Sequence, residues 1–122
     1  MGNVFNGDPA YVGGYQGPVT ALFNYPMYYT IRDVFGSKQS MYGIKNKYIE
    51  EEGFFSDIDA LGLFVDNHEN ARFLNQKPHY EQKMFANALV FSLTGRGIPF
   101  FYYGSEQAFT GGDDPQNRES LW

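Results

Sequence analysis

A chain of 122 residues can hold one domain, but not a complete eight-stranded (β/α) barrel, which takes about 250 residues. Nine basic residues stand against 14 acidic ones, a net charge of −5, and no basic run builds the positive face of a nucleic-acid binder. Cysteine is absent, no stretch approaches the roughly 18 apolar residues of a membrane span, and the first residues lack the charged-then-apolar order of a signal peptide. The sequence therefore predicts no disulfide, no thiolate chemistry, no nucleic-acid or membrane partner and no signal peptide. Twelve Phe, ten Tyr and one Trp supply large core side chains, and some of the Tyr could offer flat faces to a sugar or base.

The first 17 residues hold five glycines (Gly2, Gly7, Gly13, Gly14, Gly17) with Asn6, Asp8 and Pro9, and read as loop built on positive φ angles, with a short strand stub near Val4. Residues 18–23 read as a short buried strand broken by Asn24-Tyr25-Pro26. Residues 27–35 carry Met27, Ile31, Val34 and Phe35 at helical spacing, with Gly36 as the stop. Residues 40–52 form a second helical stretch with Met41, Ile44, Tyr48 and Ile49 on its apolar face and Lys45, Lys47, Glu50, Glu51 and Glu52 on a solvated one. A strand at 60–65 leads into a polar loop through Pro78. Residues 80–94 form the best helix, with Met84, Phe85, Ala88, Leu89, Phe91 and Leu93 covering much of its surface, ended by Gly95-Arg96-Gly97. A last strand, 98–103, gives way to loop from Gly104 onward.

Two of these strands deliver polar residues at the same end. Phe64-Val65-Asp66-Asn67-His68-Glu69 follows one, and Gly104-Ser105-Glu106-Gln107 follows the other. Parallel strands joined by helices, with chemistry at their C-terminal ends, predict an α/β fold: a single partial TIM (β/α) barrel domain over residues 1–122. Such a sector leaves two sheet edges unpaired and exposes barrel-facing side chains, here including parts of Leu22, Leu63, Val65, Phe100 and Tyr102. It is expected to form a homo-oligomer or to meet a missing half-barrel.

Five runs, taken in order, carry a family resemblance. They are Gly2-Asn3-Val4-Phe5-Asn6-Gly7-Asp8-Pro9-Ala10-Tyr11, Leu22-Phe23-Asn24-Tyr25-Pro26-Met27-Tyr28-Tyr29, Phe64 to Glu69 with Asn70-Ala71-Arg72-Phe73, Gly97 to Gln107, and Gly111-Gly112-Asp113-Asp114-Pro115-Gln116-Asn117-Arg118-Glu119. Together they resemble about the second half of the catalytic barrel of α-amylase-family glycoside hydrolases of the fungal type, from the end of strand 5 to the loop after strand 8. The resemblance implies retaining hydrolysis of α-1,4-glucans such as starch and maltooligosaccharides, with a nucleophile, an acid and a third carboxylate on strands four, five and seven. The nucleophile's strand is not in this sequence. The general-acid position is Asn3, and the third-carboxylate position is Glu69 where the family has aspartate. His68, Asp114 and Arg118 match sugar-contacting residues, and Gly7 a glycine near the leaving-group side. From the residues alone, Asp114 and Arg118 read as a loop ion pair worth little, and Gly7 reads equally well as a positive-φ turn. The family's calcium ligands are absent, so no metal or cofactor is expected, and the family setting is extracellular.

An amide cannot donate a proton as a carboxylic acid does, so the sequence predicts a fragment that is weakly active or inactive alone. The alternatives are a non-catalytic carbohydrate-binding remnant or a half-barrel assembly module. Other motifs fail: His68-Glu69 does not extend to H-E-x-x-H, Gly13-Gly14-Tyr15-Gln16-Gly17 lacks dinucleotide spacing, and no serine sits in a nucleophile elbow.

Overall fold

A computed structural model describes residues 1–75 and 81–122. Four parallel segments lie side by side in chain order. Gly2 bridges Leu22, Phe23 bridges Gly62, and β1 (Gly62–Leu63) pairs with β2 (Ile98–Pro99), Gly62 opposite Ile98 and Leu63 opposite Pro99. Successive neighbours mean that every connection crosses in one direction, the topology of a singly wound (β/α) sheet. The segments fall where the sequence put them, but regular pairing covers only one or two residues each, and the N-terminal stub sits at Gly2 rather than Val4. Single backbone bonds extend the ladder, among them Gly62 N to Leu22 O (2.8 Å), Ile98 N to Leu61 O (2.8 Å) and Phe100 N to Leu63 O (2.7 Å), so the donors to β1 lie on either side of Pro99, which has none to give.

The glycine-rich start is not all loop. Asp8 accepts from the Ala10 amide (2.9 Å) and Pro9 occupies the first turn, so residues Pro9–Gly13 form a short helix, α1. None of its five glycines needs positive φ; among the described residues the glycines with positive φ are Gly97 (128°) and Gly104 (79°). α2 (Tyr25–Ile31) starts two residues earlier than the spacing predicts, because Asn24 accepts from the Met27 amide (2.9 Å) and Pro26 fits the first turn. It then widens into a π-type turn over Arg32–Gly36.

α3 (Tyr42–Glu52) corrects the expected division of faces. Its inward stripe is Ile44, Tyr48 and Glu51, spaced four and three apart as helical geometry requires. Met41 and Ile49 are exposed instead, and Glu51, expected on the solvated face, is fully buried. α4 (Gln82–Thr94) buries Phe85, Ala88 and Ser92, while Val90 and Leu93 remain exposed. The expected first residue of this helix, Tyr80, and the end of the loop through Pro78 lie outside the described residues. Short turns at Ile58–Ala60, Phe73–Asn75 and Ser105–Gln107 complete the chain, the last of them inside the segment expected to be loop throughout.

The core has two sides. Leu63 and Val65 pack against Met27, Ile31, Val34, Phe35, Ile44, Phe85 and Ala88 in the helical layer, and Leu22 joins Val12, Phe55, Ile58 and Leu61. Phe64 points the other way, meeting Phe23, Phe100, Tyr25 and Tyr28. Leu22, Leu63 and Val65 are thus buried under helices rather than exposed on the barrel side, whereas Phe23, Phe100 and Tyr102 are half-buried there. Alternation along a strand makes this a one-residue shift of face. The last edge leaves Ile98 and Phe101 exposed, and Trp122 is fully in solvent.

Candidate functional site

The chain leaves β1 through Phe64 and Val65 and reaches Asp66, whose carboxylate is buried at the foot of the loop. Its Oδ1 accepts from the Phe73 amide (2.7 Å) and its Oδ2 from Ser105 Oγ (3.0 Å). Arg32 Nη2 lies 3.7 Å away and Arg72 Nη1 4.0 Å away. Burial pushes the Asp66 carboxyl up, and Arg32, the Phe73 amide, Ser105 and Arg72 act against that push. With both oxygens engaged, Asp66 closes the 67–72 turn and holds it to the loop after β2.

Above that foot the loop builds a second, open carboxylate. Asn67 Oδ1 accepts from the Glu69 amide (3.1 Å), the Asn70 amide (3.0 Å) and Asn70 Nδ2 (2.9 Å), which fixes the orientation of its side chain. Asn67 Nδ2 then donates to the Tyr25 hydroxyl (2.7 Å), and that hydroxyl donates to Glu69 Oε2. Asn3 Nδ2 donates to the same oxygen at 2.9 Å. Partial burial pushes the Glu69 carboxyl up, but the Tyr25 and Asn3 bonds, with help from His68 and Arg118, outweigh it and hold the group below the usual glutamate range. The general-acid and third-carboxylate positions of the sequence reading are therefore in direct contact.

The remaining predicted residues gather beside this pair, except Gly7. Arg118 makes a two-point bond to Asp114 (Nε to Oδ1 2.8 Å, Nη2 to Oδ2 3.2 Å), and its Nη2 also reaches the His68 carbonyl at 3.4 Å. The exposed His68 lines a cavity of about 110 Å³ together with Asp66, Asn67, Phe23, Phe64, Phe100, Phe101 and Tyr102. The result is an aromatic floor with a polar lip. Gly7 lies farther off. It has no positive φ, correcting its reading as a left-handed turn, and is needed because a Cβ there would stand 2.9 Å from the Tyr29 ring. Among the described residues no three His, Cys, Asp or Glu side chains form a group that could hold a metal ion.

Four further residues shape the site, and the sequence reading gave them no role. Tyr25 sits in the first turn of α2, where its phenol reaches the rim while its ring is fully buried. Asn117 Nδ2 donates to the Asn70 carbonyl (2.9 Å) and the Asn67 carbonyl (3.4 Å), stapling the Asp114–Arg118 loop to the Glu69 loop. Arg72, fully buried, donates from Nε to Glu119 Oε2 (3.1 Å) and from Nη1 to the Tyr103 carbonyl (2.8 Å), and stacks 4.2 Å over the Tyr102 ring. Glu119 Oε1 in turn accepts from the Thr110 and Gly111 amides (3.0 and 2.6 Å). The adjacency of Asn117 to Arg118 and of Tyr25 to the helix-capping Asn24 were the available signals.

No family model matches the chain. It is 49% identical over 127 residues to a beta/alpha-amylase of Paenibacillus polymyxa, a match covering 99% of this chain and 10% of that protein. It is 41% identical over 123 residues to an alpha-amylase of Saccharomycopsis fibuligera, covering all of this chain and 24% of that one. Among solved structures, an alpha-amylase from Malbranchea cinnamomea superposes with a TM-score of 0.90 at 36% identity, over 99% of this chain and 26% of the other. The chain thus spans between a tenth and a quarter of the length of these relatives.

Proposed function

We propose that this chain, which along its whole length is a segment of the α-amylase family, forms one wall of an α-1,4-glucan cleft and by itself binds such glucans with little or no hydrolysis. The segment corresponds to the barrel from the end of strand 5 to the loop after strand 8. In this reading His68, Asp114 and Arg118 contact sugar units, Gly7 lies on the leaving-group side, and Phe23 and Phe100 floor the cleft.

One observation carries the reading: the residue at the general-acid position, Asn3, donates an amide hydrogen bond to Glu69 at 2.9 Å. A retaining glycosidase needs an acid and a nucleophile about 5–5.5 Å apart across the scissile bond. Asn3 has no acidic proton to transfer, the nucleophile's strand lies outside these residues, and Glu69 Oε2 is engaged by two donors. Losing a positioned acid alone costs about 10²–10⁴-fold in rate. The binding groups, in contrast, are assembled and partly exposed. The reading requires no cofactor or metal within this segment and fits the extracellular setting of starch-degrading enzymes.

The exposed Ile98 edge and the half-open aromatic face of Phe23, Phe100 and Tyr102 favour a partner there, either the missing half-barrel or a second copy of the chain. Light scattering behind size exclusion tests this point: association is expected, and a stable monomer at all concentrations refutes it.

Incubation with soluble starch, with reducing ends measured, should give no dose-dependent release. Asn3→Glu should restore little. Calorimetry with maltooligosaccharides should give a dissociation constant of about 1 mM, roughly −4 kcal/mol. Robust release by the purified chain overturns the non-hydrolytic reading, and absence of any binding overturns the glucan site.

A further inference from the structure

We propose that Tyr25 is a positioning residue for Glu69: its phenol fixes which carboxylate oxygen is engaged and leaves the other, Oε1, to accept from a sugar hydroxyl. The proposal rests on the glucan-cleft reading and adds to it the residue that sets the geometry of the rim.

The argument starts from proton counting. Asn67 Oδ1 is held by two backbone amides and by Asn70 Nδ2, so its own NH₂ group must face Tyr25. A phenol has one proton, and here it receives a hydrogen bond from Asn67 Nδ2. That proton is therefore free to go to Glu69 Oε2, as the geometry has it. Hydroxyl-to-carboxylate bonds are among the strong, charge-assisted ones. Glu69 Oε1 makes no hydrogen bond among the described residues, and the side chain is exposed at the rim.

Rigidity separates Tyr25 from Asn3, the other donor to the same oxygen. Asn3 is exposed and follows a single bridge between Gly2 and Leu22. The Tyr25 ring is fully buried, edge-on to Phe5 (centroids 4.9 Å), Phe64 (5.2 Å) and Tyr28 (5.7 Å). Its backbone is fixed by the Asn24 cap and by Pro26 in the same helical turn. A donor that cannot move dictates where a mobile carboxylate settles; a donor on an exposed segment follows it.

The test is a carboxyl-carbon NMR titration of Glu69 in the chain and in its Tyr25→Phe and Asn3→Ala variants, with maltopentaose affinity measured alongside. Tyr25→Phe keeps the buried ring and removes only the hydroxyl. It should move the Glu69 titration to higher pH by more than Asn3→Ala does, and lower the maltopentaose affinity on the order of tenfold. A purely structural role for Tyr25 would leave the Glu69 titration in place, and that result overturns the proposal. In the unmodified chain, the Tyr25 hydroxyl proton should resonate far downfield and lose that signature as Glu69 is protonated. An ordinary, pH-indifferent hydroxyl refutes the bond even if Tyr25→Phe does not fold. Should the chain fail to bind maltopentaose while the titration moves as described, the glucan reading falls and the positioning role stands.

Discussion

Glu69 at the rim and Glu51 beneath the helices are the same side chain in opposite surroundings. Glu69 is exposed, yet Tyr25 and Asn3 both donate to it, and it is held below the usual glutamate range. Glu51 is fully buried between α3 and the cap of α2, and neither of its oxygens has a hydrogen bond among the described residues. Burial pushes its carboxyl up to about 7; the Asn24 amide lies alongside without well-formed bonding geometry, and Lys47 opposes the rise while Glu50 adds to it. The contrast teaches that burial sets the upward push on a carboxylate here and its donors decide whether that push is overcome. Tyr25 and Asn3 outweigh the partial burial of Glu69, and among the described residues no well-formed donor answers the full burial of Glu51. The rim is built to keep a negative charge, and the α2–α3 interface to keep one out.

A third case sharpens the comparison and carries the largest expected effect. Asp66 and Glu119 are partly or wholly buried like Glu51, but Arg72 accompanies both. Arg72→Ala would leave these carboxylates undercompensated and remove the stack on Tyr102, and should cost about 3–5 kcal/mol in urea unfolding. A loss below about 1 kcal/mol would mean that the backbone amides, with Ser105 and Arg32 at Asp66, stabilise those groups without Arg72, and the contrast with Glu51 would lose its basis.

Glu51 itself offers the next largest effect. Its folded-state value, about 7, lies above the 4.5 of an open chain. The contribution is therefore fully present below about pH 4.5 and lost as pH rises through 7, on the order of 3 kcal/mol in all. Glu51→Gln should flatten stability between pH 5 and 8 and exceed the parent at pH 8. A parent with equal stability at pH 5.5 and 8 would show that Glu51 finds a partner when charged.

The smallest effect belongs to the exposed pair. Arg118→Ala removes its bonds to Asp114 and the His68 carbonyl, yet should change stability by less than about 1 kcal/mol, since exposed pairs contribute little. Maltooligosaccharide affinity should nonetheless fall several-fold by calorimetry. Unchanged affinity would leave Arg118 as a loop tether alone.

Much of this was legible in the residues. Strand positions came from apolar runs ending in polar clusters, and three of the four α-helices, α2, α3 and α4, from the spacing of their apolar residues. The site residues Asn3, Glu69, His68, Asp114 and Arg118 do converge. The misses share a physical cause, which is that the pattern of a single segment does not specify what lies across from it. Leu63 and Val65 look the same whether they face helices or a barrel interior. The stripe of α3 could have been drawn through Ile49 or through Glu51, and the fold buries the latter and leaves the former exposed. α1 was hidden because glycines that serve close approach, such as Gly13 with the Phe54 carbonyl 2.4 Å from a would-be Cβ, resemble glycines that serve turns. Tyr25 was missed because its part depends on Asn67, 42 residues away.

Trp122, fully in solvent, gives the molecule an unusual optical character. Its indole already emits from water in the native state, so intrinsic fluorescence should scarcely move when the chain unfolds. The asymmetry that light can sense resides elsewhere, in the Tyr25, Tyr28 and Phe64 rings locked edge-on and stacked against one another. Their near-ultraviolet circular dichroism should collapse on loss of packing while the tryptophan emission stays still. A chain that unfolds in view of one spectrum and invisibly to the other follows directly from where its single indole was left.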